Sequence, residues 1–154
     1  MNKLNTRLKD IKPKDLLFVI LYGVVLSVLL GIVLGFVDYY IRQYITFSFA
    51  LLMFFICSQY IGGMVRRQYE FPHIVYTVLT GVFLVFQAVI IYSLPLIYEA
   101  AIGLGDISLV FNFGLYFEFF IYLIKGLFTN FSFDYLIMVL FIVVGTYVGV
   151  KRTY

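Results

Sequence analysis

Few side chains in this sequence are able to do chemistry, and their spacing narrows the options further. His73 is the single histidine and Cys57 the single cysteine. A lone imidazole without a second His or Cys ligand does not make a zinc site of the usual kind. It also has no paired nucleophile in any recognised frame. Cys57 lies in an apolar run, where a thiol behaves as a small hydrophobe. Without a second cysteine it cannot form an internal disulfide. The carboxylates Glu99, Asp106, Glu118 and Asp134 follow one another in the C-terminal half. No two of them share one element at a spacing suited to acid–base work. These residues point to a protein that is not an enzyme and that takes no metal or cofactor.

Three polar groups fall inside long apolar runs: Gln59, Gln87 and Glu118. Hydrocarbon cannot satisfy an amide or a carboxylate. Each therefore either bonds to another helix or belongs to a polar path. Arg66 and Arg67 sit side by side between two apolar runs. They read as a topology anchor, and as candidate ligands for anionic lipid headgroups. Glu118 and Lys125 are seven residues apart, with Gly114, Tyr122 and Thr129 near the same line. On a helix these residues form one narrow polar stripe.

A different pattern is made by small residues. Gly23, Ser27, Gly31 and Gly35 recur every four positions, and Gly145 and Gly149 repeat the spacing once. On helices they form ridges without bulk, which let backbones approach closely where lipid supplies no hydrophobic drive. The two ridges suggest that the first and last apolar helices pack together, within one chain or between chains.

The elements that carry these residues are set by composition. Hydrophobic residues make up 64% of the 154 residues and charged residues 12%. Soluble domains hold about 25% charged residues, so this chain has too few to coat a surface facing water. The net charge of +3 is not pooled into a patch, which argues against nucleic acid as a partner. A membrane-crossing helix needs about 20 mostly apolar residues. Four stretches meet this, at about 16–37, 45–65, 73–97 and 131–150. Pro95 is expected to kink or end the third. The basic N-terminus resembles a signal peptide, but its apolar run is too long and no cleavage site closes it. It reads as an uncleaved first span, and no lipidation motif is evident at either end.

Residues 107–128 are the hardest to assign. They are apolar and aromatic, broken by Glu118 and Lys125. Either they form an interfacial or re-entrant helix, or they make a fifth span with the stripe turned inward. Basic residues arbitrate. With four spans, nine of the eleven Lys and Arg fall on the side of the two termini and the loop around Arg66. Arg42 and Lys125 fall on the other side. The Lys/Arg bias sets orientation, so both termini are expected in the cytoplasm. Tyr39, Tyr40, Tyr44, Tyr98 and Tyr135 then mark outer interfaces in a chain without Trp.

The expected fold is thus all-α: a polytopic helical membrane protein over residues 1–154, a single domain. It has four transmembrane helices plus an interfacial or re-entrant aromatic-rich helix, about 107–128, before the last span. The expected role is an interaction or accessory subunit of the plasma membrane, with lipids and other transmembrane helices as partners, in a homo-oligomer or a membrane complex. A small oligomeric transporter, channel or lipid flippase is the first alternative. It would need Gln59, Gln87 and Glu118 to align. A lipid-modifying enzyme is the second, and would need the outer carboxylates or His73 to converge on a cleft.

Overall fold

The computed structural model describes residues 11–45, 48–129 and 133–154. Lys3, Arg7 and Lys9, and the first two residues of the expected 131–150 span, lie outside the described residues. So do the side chains of Asp134 and Tyr135. Every regular element among the described residues is helical. These are α1 (Pro13–Arg42), α2 (Ala50–Arg66), α3 (Ile74–Leu104), a 3-10 turn (Ile107–Phe111), α4 (Phe113–Thr129) and α5 (Phe133–Lys151). Two helices, α1 and α3, are long and apolar enough to cross a membrane.

Helix starts and stops follow local chemistry. Pro13 opens α1, where its missing N–H costs nothing. His73 caps α3, its Nδ1 accepting from the Val75 N–H at 3.1 Å. Gly105 ends α3 at φ 69°, a left-handed turn that favours glycine. The Asp106 and Gly105 amides there return to the carbonyls of Ala101 and Ile102, a Schellman closure. Of the two outcomes expected at Pro95, a kink or an end, the helix does not end. α3 runs through it for nine more residues, because the bundle covers the break. A proline leaves the carbonyl four residues earlier without its helical donor. That carbonyl, Ile91, lies only 3.6 Å from where a Cβ on Gly35 would stand, so α1 closes over it.

The helices pair by direction. Along α1 and α3, Gly23 meets Phe83, Gly31 meets Ile90 and Gly35 meets Leu94. These matched steps make α1 and α3 parallel. Gly145 meets Phe54 and Gly149 meets Gly62, so α5 runs parallel to α2. Against α3, α5 runs the other way: Gly149 touches Leu84, Val150 touches Gly81 and Thr153 touches Thr77. The N-terminal residue Lys12 pairs with Glu70 at 2.6 Å, and the Tyr69 hydroxyl donates to the Thr153 carbonyl. The start of α1 and the end of α5 thus gather on the α2–α3 loop, at one end of the bundle.

The expected single helix over residues 107–128 is divided. Asp106 accepts from the Ser108 N–H and hydroxyl, shaping the 3-10 turn. The Asn112 side chain then accepts from the Gly114 N–H at the start of α4. The chain folds back along α3 here. Ser93 Oγ donates to the Tyr116 carbonyl at 2.8 Å, and the Phe86 and Phe117 rings lie 6.1 Å apart. Ser93 stands about 16 Å before the end of α3, at about 1.5 Å per residue. α4 therefore begins beside the middle of α3.

Candidate functional site

Two places concentrate polar groups that a bundle of this composition must manage. The first is the C-terminal end of α1. Asp38 is fully buried. Its Oδ1 accepts from Ser48 Oγ at 2.8 Å and from the Ala50 N–H at 3.1 Å, and its Oδ2 lies 2.7 Å from Arg42 Nε. Ala50 is the first residue of α2, whose own N-cap residue, Phe49, supplies no side-chain cap. A carboxylate from the preceding helix does that work, placing negative charge at the positive end of α2. Arg42 also reaches Ser48 Oγ at 3.1 Å, which ties the loop to the ion pair. Asp38 is not among the residues that the sequence singles out. Its separation of four residues from Arg42 is the signal that could have marked the pair.

The second is the opposite end. Tyr69 and Thr153 are both buried. Thr153 Oγ1 lies 3.1 Å from Thr77 Oγ1 and donates to the Val150 carbonyl at 2.7 Å. Arg66 donates to the Tyr69 carbonyl at 2.8 Å and covers the Tyr69 ring at 5.0 Å. Burial pushes the Tyr69 phenol up to about 12, opposed by the Thr153 side chain and by the charge of Arg66. Arg66 is thus engaged inside the loop, while Arg67 is exposed, with its guanidinium near Met64 Sδ. Glu70 is held below its ordinary range and Lys12 above its own by their mutual contact, in full solvent.

The expected polar candidates are not brought together. Gln59 Oε1 accepts from Arg152 at 3.1 Å, near the C-terminal end of α5. Gln87 is wholly buried in the bundle, and neither its Nε2 nor its Oε1 has a partner. Glu118 is exposed on α4, as are Gly114, Tyr122, Lys125 and Thr129. The stripe therefore faces away from the bundle, and Tyr116 and Phe120 bury the other side of α4. His73 is buried, with its Nδ1 committed to the cap of α3. Among the described residues, no group of three His, Cys, Asp or Glu side chains could hold a metal ion.

The small-residue ridges are used inside this chain, but not on each other. Gly23, Ser27, Gly31 and Gly35 are buried in α1, and the three glycines lie against α3. Gly145 faces Phe54 of α2, and Gly149 lies between Leu84 and the Ser58 carbonyl. The expected pairing of the first and last helices gives way to α1 on α3 and α5 on α2. Sequence reading also missed Gly62. A Cβ there would stand 2.1 Å from the Gly149 carbonyl oxygen. Gly62 stands four residues after Ser58, a single small-residue step of the kind that builds the ridge in α1. Comparisons with protein-family models, with curated proteins and with solved structures found no match.

Proposed function

We propose that this chain is a small multi-pass membrane protein that acts by association, as an interaction or accessory subunit docking through the outward stripe of α4. In this reading α1, α2, α3 and α5 cross the plasma membrane, and α4 with its 3-10 turn re-enters from the outer side. The direction of α5 supports four crossings. A fifth span at α4 would set α5 parallel to α3, whereas the contacts run antiparallel. The exterior of α1 supports lipid as its surroundings: Leu17, Leu21, Val25, Leu29 and Val33 are all exposed, far more contiguous apolar surface than water tolerates. Lys12, Arg66, Arg67 and Arg152 lie at the end where α1 starts and α5 finishes, and by the Lys/Arg bias that end is the cytoplasmic one in this reading. Arg67 there is placed to meet anionic headgroups.

The observation that carries the docking role is the pair Glu118 and Lys125, exposed together on one apolar helix. Phe117, Ile121 and Tyr122 are exposed beside them. Two opposite charges two turns apart are self-complementary in an isologous pair. Glu118 of one copy meets Lys125 of the next, twice across a two-fold axis. The transporter reading is less well supported, because Gln59, Gln87 and Glu118 occupy three separate places.

Charge reversal tests this in lipid bilayers, with copies counted by single-molecule photobleaching. Native protein is expected to be dimeric, Glu118→Lys or Lys125→Glu alone monomeric, and the double reversal dimeric again. A monomeric native protein, or singles that remain dimeric, would refute the docking role.

A further inference from the structure

We propose that the middle of the bundle holds ordered water, bound jointly by Ser27, Gln87 and Thr146. All three side chains have buried polar atoms without a hydrogen-bond partner: Ser27 Oγ, both amide atoms of Gln87 and Thr146 Oγ1. They come from three helices, and the helix registers bring them to one level. On α1, Ser27 lies midway between Gly23, which meets Phe83, and Gly31, which meets Ile90. It therefore stands opposite Gln87. On α5, Thr153 meets Thr77 and Val150 meets Gly81. One turn further along this antiparallel pair, Thr146 falls beside residues 87–88. Thr146 is seven residues from Thr153, so both lie on the face of α5 turned to α3.

The chemistry selects the ligand. A primary amide offers two donors and two acceptor lone pairs, and each hydroxyl offers a donor and two acceptors. Unpaired polar atoms at this burial are rare in folded proteins, and internal water is the usual partner. All three groups are neutral, so nothing here balances the charge of a cation or an anion. A water molecule both donates and accepts, and two to four polar partners suffice to hold one. Leu84 on one side of this level and Ile91 and Leu94 on the other are buried. These apolar side chains flank the polar level along α3.

The test uses the full chain in lipid nanodiscs, with glutamine labelled by nitrogen-15. The Gln87 side-chain amide is identified by the signal that Gln87→Met removes. A dipolar cross-peak from water to that amide is expected, distinct in sign from chemical exchange. In equilibrium unfolding, the destabilisation caused by Ser27→Ala or Thr146→Val is expected to shrink at least fivefold, as a ratio of unfolding constants, in the Gln87→Met background. Absence of the water cross-peak overturns the proposal, since coupling without it means direct contact between side chains. A cross-peak without coupling to Ser27 and Thr146 also overturns it, because the water then serves Gln87 alone. The cross-peak is read on native protein, so a variant that fails to fold leaves that criterion in force.

Discussion

Gly62 and Gly63 are neighbours on α2, yet an added methyl group should act in opposite directions at the two positions. At Gly63 a Cβ would meet nothing within 4 Å. Gly63→Ala there gains helix propensity, about 0.8–1 kcal/mol in a helix interior. At Gly62 the same methyl would stand 2.1 Å from the Gly149 carbonyl oxygen and 3.1 Å from Arg152 Cβ. The first obstacle is backbone, so no side-chain rotation relieves it. Ordinary contact needs about 3.4 Å, so α2 and α5 must separate by roughly 1 Å along their contact. A gap of that size forfeits about a quarter to a half of the dispersion energy of the atoms it separates. Overpacking of this kind costs about 1–3 kcal/mol and occasionally more. With so little room the upper end applies, and the propensity gain offsets about 1 kcal/mol of it. The net expectation is a loss of roughly 2 kcal/mol for Gly62→Ala and a gain of roughly 0.5–1 kcal/mol for Gly63→Ala. Reversible unfolding in mixed micelles, with helicity as the readout, measures both. Equal effects at the two sites would refute the packing of α2 on α5 described here.

Two other consequences follow from the polar ends of the bundle. Asp38→Ala removes the cap of α2, a loss of about 0.5–2 kcal/mol; Arg42 is partly exposed, so its charge is not stranded and the cost stays near that range. Asp38→Asn retains an acceptor for Ser48 and Ala50 and should recover part of the loss, whereas identical unfolding of the two variants would argue against capping. Because burial raises the folded-state pKa of Tyr69 to about 12, above its ordinary 10, the protonated phenol favours the fold. Its contribution is whole below about pH 10 and is lost as pH rises toward 12. The fall in melting temperature between pH 9 and 11.5 should therefore be smaller in Tyr69→Phe than in native protein; equal falls would remove Tyr69 as a source.

What the sequence discloses here is the class of element rather than the partner of each face. Apolar runs and the four-residue recurrence in α1 are local properties, so the helices and the ridge of Gly23, Gly31 and Gly35 are legible without a fold. Which helix fills that ridge depends on shape at Phe83, Ile90 and Leu94, and no spacing rule identifies them. Gly62 and Asp38 leave only a faint local mark, one four-residue step to Ser58 and one to Arg42, because each acts mainly through residues on another helix. The break between the 3-10 turn and α4 turns on Asp106 and Asn112, short side chains that bond to nearby backbone N–H groups. Both are visible as turn formers, yet the aromatic run around them reads as continuous. Pro95 does not mark a helix end, because α3 continues through it with α1 packed over the Ile91 carbonyl.

Four crossings require α5 to return to the side from which α1 starts. Cysteine labelling in intact cells measures this directly, in a Cys57→Ser background carrying either Ser108→Cys in the 3-10 turn or Tyr154→Cys at the far end. A membrane-impermeant maleimide is expected to label the cysteine at position 108 from outside and to reach position 154 only after the membrane is opened. Labelling of position 154 from outside intact cells would contradict the four-span arrangement and make α4 a span.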